Sequence, residues 1–187
     1  MSATSTGTTT IAATAVTGSA RHVVVSSPVG ELTIVRDDDG LTGLYFPRHW
    51  TRPDRSAFGL RVDPASDRGF DAVLAQLGEY FAGERREFEL PRSPQGSGLA
   101  RQVWQLLTEI PYGQTTTYGA LAEQVGQGVD ARDIGAFVGH NPLSIIIACH
   151  RVVGSTGKLT GYAGGLNRKR QLLELEQAIP PATPTLW

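Results

Sequence analysis

Cysteine is almost missing from this chain, which has one in 187 residues. One cysteine cannot form an intrachain disulfide or a zinc site built on cysteine pairs, so disulfide-stapled and zinc-finger scaffolds are excluded. A charge excess is also missing, since 17 Lys and Arg residues stand against 18 Asp and Glu. No apolar run approaches the ~20 residues that span a membrane. These absences predict a reduced, soluble, cytoplasmic protein with no membrane partner.

The residues that are present have the composition of a globular protein. Hydrophobic residues make up 40% of the chain and charged residues 19%, and the length suits one large domain or two small ones. Residues 101–170 carry seven basic and four acidic groups. Any contact with a polyanion is therefore expected in the second half, although the basic excess is far below that of a tight DNA binder.

Shifts in composition predict five segments. Residues 1–20 are rich in Ser, Thr, Ala and Gly and are expected to form a disordered tail, with a Thr-rich edge strand as the alternative. The Pro- and Gly-containing segment 91–98 is the expected linker. It separates an N-terminal α/β domain, 21–90, from a C-terminal domain, 99–178, and a Pro-rich tail follows at 179–187.

The predicted fold class is α+β. Three short β-branched or alternating runs, 22–26, 31–36 and 41–46, are joined by turn sequences and predict a small antiparallel three-stranded sheet. Residues 47–67 are interpreted as loop. Apolar residues at helical spacing then predict a helix over 70–83.

The C-terminal domain is predicted to be mostly helical. An amphipathic helix over 99–110 is followed by two short helices, one capped by Thr117 and the other by Asp130. Two short helices joined by a Gly-containing turn indicate a helix-turn-helix, although the pattern alone is weak because many packed helix pairs share it.

The chemically informative segment is Cys149-His150-Arg151, which follows the apolar run 143–148. A cysteine in such a place is often an inert core residue, but a His-Arg pair directly after it indicates a polar pocket. His150 is the candidate base, yet adjacent side chains of an extended segment point to opposite faces. A bridging water or a turn starting at Cys149 would restore their contact. Glu174 and Glu176 are both available to orient the imidazole, and spacing does not choose between them.

Several short motifs, taken together and in this order, resemble the O6-alkylguanine-DNA alkyltransferases. They are Ile110-Pro111-Tyr112-Gly113, Thr117-Tyr118, Ala131-Arg132, Gly139-His140-Asn141-Pro142, Cys149-His150-Arg151-Val152-Val153 and Gly161-Tyr162-Ala163-Gly164-Gly165-Leu166. The strong resemblance covers about 99–177, and 22–90 looks like the family's N-terminal domain.

The resemblance implies a DNA repair protein that flips an alkylated guanine out of the duplex and moves the alkyl group irreversibly onto its own cysteine. Cys149 matches the alkyl acceptor, His150 the base that activates it through a water, and Glu176 the carboxylate that orients His150. Asn141 matches the residue that ties the recognition helix to the active-site turn. Tyr118 matches the residue that crowds the target phosphate and helps to rotate the nucleotide.

The resemblance also assigns DNA and substrate contacts. Arg132 matches the finger that fills the stack after the base has left, and Tyr162 matches the aromatic wall of the pocket, next to the guanine oxygen. The full set of expected DNA contacts is Arg132, Tyr118, Ala131, Gly135 and Arg151, and the expected pocket residues are Tyr162, Val152 and Ala163. Simpler roles remain open for several of them: Tyr118 packing on Trp104, Arg132 as a solvated helix residue, and Asn141 as an ordinary turn former.

The expected partners are double-stranded DNA, entered through the minor groove, and alkylated guanine, with O4-alkylthymine as a secondary substrate. The protein is expected to be a monomer, with no cofactor, no metal and one turnover per molecule. Two positions depart from the family pattern: Ala148 replaces a proline, and Ala163 replaces a serine found in some members. The alternatives are a non-enzymatic lesion-binding module, a helix-turn-helix regulator and, less favoured, a cysteine hydrolase.

Overall fold

The computed structural model describes residues 20–181. The predicted disordered tail therefore lies outside the described residues except for Ala20, and so does most of the predicted Pro-rich tail, from 182 onward.

The N-terminal part is built on a small mixed sheet. Strands β1 (Arg21–Val25), β2 (Leu32–Arg36) and β3 (Leu41–Tyr45) pair antiparallel as predicted. A two-residue strand, β4 (Leu60–Arg61), adds to β1 in parallel, which gives the order β3-β2-β1-β4. The sequence placed β4 in a loop because both of its residues are exposed and show no apolar alternation. The α+β class is confirmed, with this fourth strand as an addition.

Helix α1 (Asp71–Phe81) supplies the apolar cover of the N-terminal part. It buries Val73, Leu77 and Tyr80, which join the same core as the inward residues of the sheet. The segment predicted as a linker then runs along β3, where the Leu41 N–H donates to the Pro91 carbonyl and the Ser93 N–H to the Leu41 carbonyl.

Helix α2 (Gly98–Glu109) starts where the Ser97 side chain accepts a hydrogen bond from the Ala100 N–H. Helices α3 (Tyr118–Val125) and α4 (Ala131–Gly139) follow as the predicted pair, with the Thr117 and Asp130 side chains as N-caps. Asp130 and Asp133 form a reciprocal capping box, which satisfies N–H groups that the first turn of a helix leaves unpaired. The caps therefore fix where both helices begin.

Short backbone pairings bring distant parts of the chain to the cysteine. Strands β5 (Thr116–Thr117) and β6 (Val152–Val153) pair in parallel, which places the start of α3 beside the segment after Cys149. At the edge of the N-terminal sheet, the Leu44 N–H donates to the Pro142 carbonyl. The last helix, α5 (Leu166–Leu175), buries Lys169, Leu172 and Leu173.

Arg168 joins the two parts of the chain. Its guanidinium donates to the Val29 carbonyl (2.7 Å) and the Gly164 carbonyl (2.9 Å), and it lies over the Phe46 ring. Gly164 has no room for a side chain, because a Cβ there would come within 2.5 Å of Phe46. The glycine allows the N-terminal sheet to approach the C-terminal helices closely at this point.

Candidate active site

Cys149 opens a 3₁₀ turn, Cys149–Arg151, and is 3% exposed. The turn is held by the Cys149 N–H donating to the Ile147 carbonyl (2.7 Å) and the Arg151 N–H donating to the Ala148 carbonyl (3.0 Å). Of the two arrangements that the sequence left open, the structure therefore has a turn that begins at Cys149. The backbone is not extended there, so the alternation of side chains that separates neighbours in a strand does not apply.

A buried hydrogen-bond network begins at the residue after Cys149, and we call it the inner network: Tyr80, His150, Arg151 and Glu176. His150 Nε2 lies 2.8 Å from Glu176 Oε1, and Arg151 donates to both carboxylate oxygens at 2.8 and 2.9 Å. The Tyr80 hydroxyl donates to Glu176 Oε1 at 2.7 Å. Burial alone raises the pKa of Glu176, but the hydrogen bonds and charges of His150 and Arg151 outweigh it and lower the pKa to about 2.

The positions of Glu174 and Glu176 on α5 decide which of the two carboxylates contacts His150. Glu176 is the C-cap residue of α5 and is buried, whereas Glu174 lies 3.5 Å from Arg170 on the more exposed side of the helix. The carboxylate that contacts His150 is therefore Glu176.

The hydrogen bond to Glu176 fixes the state of His150. An ionised carboxylate accepts only, so Nε2 carries the proton and Nδ1 is left as an acceptor. Nδ1 is buried and has no partner among the described residues. Burial, the largest influence, lowers the pKa of His150 although Glu176 opposes it. His150 is thus a neutral imidazole at neutral pH with a free acceptor nitrogen, the state that a base requires.

The thiol itself is protonated at rest, because burial raises the pKa of Cys149. A hydrogen bond from Asn141 and the charge of Lys169 act in the opposite direction without overcoming burial. A reaction at the Cys149 sulfur therefore has to remove the thiol proton. Nδ1 of His150, the next residue in the chain, is a buried acceptor without a partner among the described residues.

Lys169 is a site residue that the sequence did not indicate. Its ammonium donates to three backbone carbonyls, those of Val152 (2.5 Å), Thr160 (2.6 Å) and Gly161 (3.2 Å). Burial lowers its pKa to about 8, so it remains charged at neutral pH. The signal that could have found it is a lysine placed among the apolar residues of a helix face, next to Leu172 and Leu173.

Asn141 lies between the helix-turn-helix and the cysteine turn. It follows α4, its side-chain amide donates to the Ile147 carbonyl (2.8 Å), and its oxygen accepts from the Leu143 N–H (3.0 Å). The side chain is buried. This geometry connects the end of the second helix to the backbone that presents Cys149.

The thiol faces a small cavity of about 40 Å³, which we call the outer pocket. Its lining residues are Trp50, Tyr118, Gly135, Val138, Gly139, Cys149, Gly161, Tyr162 and Ala163. The Tyr162 hydroxyl is buried without a partner among the described residues, and burial keeps its pKa well above the usual value. The Tyr118 hydroxyl donates to the Thr160 carbonyl at 3.3 Å. The outer pocket therefore offers a neutral hydroxyl donor next to a sulfur atom.

Three of the predicted DNA-contacting residues lie together on α4, with Ala131 and Arg132 exposed at its start and Gly135 half-buried one turn later. Arg151 does not join them. Its guanidinium is held by Glu176 and the Ile110 carbonyl, and its side chain is 8% exposed. The prediction that Arg151 contacts DNA is wrong for this structure, because an arginine adjacent to the cysteine was needed to balance a buried carboxylate.

Val152 also differs from the prediction. It is fully buried in β6 and does not line the outer pocket, and its carbonyl is one of the groups bound by Lys169. Ala163 does line the pocket, and its carbonyl accepts a hydrogen bond from the Trp50 N–H.

Two family models match the chain almost from end to end of its described part. Residues 21–94 match the ribonuclease-like domain of 6-O-methylguanine DNA methyltransferase, and residues 98–178 match its DNA binding domain. The chain belongs to the 6-O-methylguanine DNA methyltransferase family. The family resemblance inferred from the motifs is confirmed.

Individual members of the 6-O-methylguanine DNA methyltransferase family agree with this assignment. A methylated-DNA–protein-cysteine methyltransferase of Mycolicibacterium paratuberculosis is 46% identical over 163 residues, which cover 87% of this chain and 96% of the relative. The crystal structure of Mycobacterium tuberculosis O6-methylguanine methyltransferase has a TM-score of 0.76 at 42% identity, covering 89% of this chain and 98% of that one. A structure of M. tuberculosis OGT in complex with DNA has a TM-score of 0.75, covering 84% and 93%.

Two kinds of feature are absent from residues 20–181 of this family member. No group of three His, Cys, Asp or Glu side chains there is arranged to hold a metal ion. No helix in that range is long and apolar enough to cross a membrane.

Proposed function

We propose that this protein repairs alkylated DNA by transferring the alkyl group of O6-alkylguanine, and secondarily of O4-alkylthymine, to Cys149. The observation that carries the proposal is the position of that sulfur. It lines a pocket with an unpartnered hydroxyl, and the next residue, His150, is bound to Glu176 and keeps a ring nitrogen without a partner among the described residues, which we take as the acceptor of the thiol proton.

The proposed reaction is a displacement at carbon. Nδ1 of His150 accepts the thiol proton, directly or through a water, as the sulfur attacks the alkyl carbon. A carbon–sulfur bond forms, the carbon–O6 bond breaks, and its electron pair leaves with the guanine. The Tyr162 hydroxyl is placed to donate to that oxygen while negative charge develops there. The products are S-alkylcysteine and an unmodified guanine, which regains a proton in place of the alkyl group.

The target carbon lies inside the base stack, so extrusion must precede chemistry, at a cost of a few kcal/mol. Helix α4 presents Ala131, Arg132 and Gly135 at its exposed face, and small residues allow a backbone to approach DNA closely. We assign this face to the minor groove, where readout is degenerate and suits a protein that must inspect every sequence. Arg132 then fills the vacancy, while Tyr118, beside the thiol, crowds the phosphate of the rotated nucleotide.

The stoichiometry follows from the composition. The alkylated sulfur is a thioether, and the chain has no second cysteine to release it, so each molecule acts once. Displacement of this kind uses no cofactor and no metal. We further propose that the protein acts as a monomer in the reducing cytoplasm, where its thiol stays available.

The decisive experiment is an intact mass measurement after incubation with a duplex that contains O6-methylguanine. We expect a gain of one methyl group, located on Cys149 by peptide mapping, and its loss in Cys149→Ser, which keeps the size and removes the nucleophile. An undamaged duplex is the matched control. An unchanged mass with retained binding to the lesion would overturn the proposal in favour of a lesion-binding module.

A further inference from the structure

Trp50 stands at the mouth of the outer pocket, although it belongs to the N-terminal part of the chain. The residue is 59% exposed, and its backbone N–H donates to the Ala163 carbonyl at 3.2 Å. The indole rests on α4 at Gly139, where an added Cβ would lie 2.9 Å from the ring. Its ring centroid lies 6.3 Å from that of His140. A large apolar side chain is thus held across the pocket and the recognition helix by packing alone.

The outer pocket is too small for its proposed substrate while Trp50 lies there. A cavity of about 40 Å³ has room for only a few water molecules, since about 10–15 Å³ measured in the same way holds one. A purine does not fit such a space, so a lining group has to move before a base enters.

The lining residues differ in how easily they move. Tyr162 is buried beside Phe46 and His150, and Tyr118 is tied to the Thr160 carbonyl. The glycines and Val138 belong to the backbone of α4 or to the loop clamped by Lys169. Trp50 has most of its surface in solvent and needs only a side-chain rotation, a change that takes nanoseconds for exposed residues.

We propose that Trp50 is a lid on the Cys149 pocket, which shields the thiol in the free protein and swings aside to admit an extruded base. The identity of the base that enters the pocket rests on the proposed function, whereas the shielding of the Cys149 thiol by Trp50 does not. Because the lid must open first, the apparent rate at Cys149 is the intrinsic rate multiplied by the open fraction. Bulky O6 substituents need a wider opening, so Trp50 also limits the size of the alkyl group accepted.

The test uses the full chain and two probes on Trp50→Ala, with Trp50→Phe as the matched variant that keeps an aromatic cover. The first probe is iodoacetamide, which reports on Cys149 alone because the chain has no other cysteine. We expect alkylation in Trp50→Ala to be faster by on the order of five-fold, and in Trp50→Phe to stay within about two-fold of the parent. The second probe is free O6-benzylguanine, followed by intact mass, with the same order of rates expected.

The outcomes separate the lid from the reaction. Equal iodoacetamide rates in all three proteins would overturn the lid, whatever the benzylguanine result. Slower benzylguanine transfer in Trp50→Ala at an unchanged iodoacetamide rate would also overturn it, because the indole would then be a stacking surface for the base. Faster iodoacetamide alkylation with no transfer by any variant would support the lid and reject the proposed function. The three proteins are expected to unfold at the same temperature, since Trp50 is largely exposed. Equal melting temperatures exclude a general loosening of the fold as the cause of faster alkylation.

Discussion

The two sides of Cys149 are built on opposite principles. In the inner network, both oxygens of Glu176, at the end of α5, accept hydrogen bonds, and the donors come from α1 and the cysteine turn. In the outer pocket, a buried hydroxyl is left unpaired and one wall is an exposed indole. A buried carboxylate with both oxygens paired holds its donors in one arrangement, whereas the unpaired Tyr162 hydroxyl and the exposed indole leave the outer pocket able to take a new partner. Under the proposed function, the protein therefore fixes its proton acceptor in advance and leaves its substrate site incomplete.

The largest expected effect comes from breaking the inner network with Glu176→Gln. An amide cannot balance the buried charge of Arg151 or accept from all its donors, so we expect a loss of about 3–5 kcal/mol in the free energy of unfolding. Urea denaturation measures it. Glu174→Gln, two residues earlier on the less buried side of α5 and paired with Arg170, is the matched control and should lose much less stability. Similar losses of stability in both variants would show that the buried contacts of Glu176 do not stabilise the fold more than those of Glu174.

The same carboxylate predicts how stability depends on pH. Its pKa is about 2 in the folded protein and ordinarily 4.5, so its contribution is complete above about 4.5 and is lost as the pH falls toward 2. This lowering of the Glu176 pKa, from 4.5 to about 2, corresponds to about 3 kcal/mol in the free energy of unfolding. Denaturation between pH 6 and about 2 should therefore show a steep acid limb for the parent protein. The limb should persist in Glu174→Gln and flatten in Glu176→Gln, and parallel curves for all three would contradict the assignment.

The DNA-facing side is tested by Arg132→Ala. If Arg132 fills the place of an extruded base, its loss should slow transfer from a duplex by about 10–100-fold, because extrusion costs a few kcal/mol. Transfer from free O6-benzylguanine, which needs no extrusion, should change by less than about two-fold. Arg101→Ala removes an exposed arginine from α2 and controls for charge. Equal losses on both substrates would show that Arg132 is not a wedge.

The smallest expected effect comes from Ala148, the residue directly before Cys149. Ala148 has φ −75°, which a proline ring accepts, so Ala148→Pro should raise the free energy of unfolding by about 0.4–1 kcal/mol by restricting the unfolded chain. The rate of methyl transfer should be equal or higher. Ala163→Ser, which changes the other position that departs from the family pattern and lines the outer pocket, is a second variant for the same two measurements. A collapse of activity in Ala148→Pro would mean that this turn must flex.

The sequence predicted best what depends on local pattern. Thr117 and Asp130 mark the starts of α3 and α4, because capping is read within three residues of the helix. The position of Cys149 as a candidate nucleophile followed from its neighbours in the same way. The strand β4 was missed because two exposed residues carry no periodic signal.

The rest depends on contacts between distant residues. Tyr80 is 96 residues from Glu176 in the sequence, and nothing near either residue indicates the contact. Arg151 was placed among the DNA contacts together with the residues that the family resemblance assigns, and only the fold reveals the carboxylate that it balances. Trp50 lay in a segment interpreted as loop, and its place over α4 follows from the packing of the sheet edge against the helices.

The hydroxyl of Tyr80 has a consequence for dissecting this protein. Helix α1 lies outside the segment that bears the thiol and the helix-turn-helix, yet it supplies the Tyr80 hydroxyl that donates to the buried Glu176 carboxylate. Expressing residues 98–178 alone would leave that oxygen short of a donor and expose the face that Tyr80 covers. The N-terminal half is thus a working part of the reaction centre, and grafting the C-terminal half onto another scaffold would require a phenol at the same place.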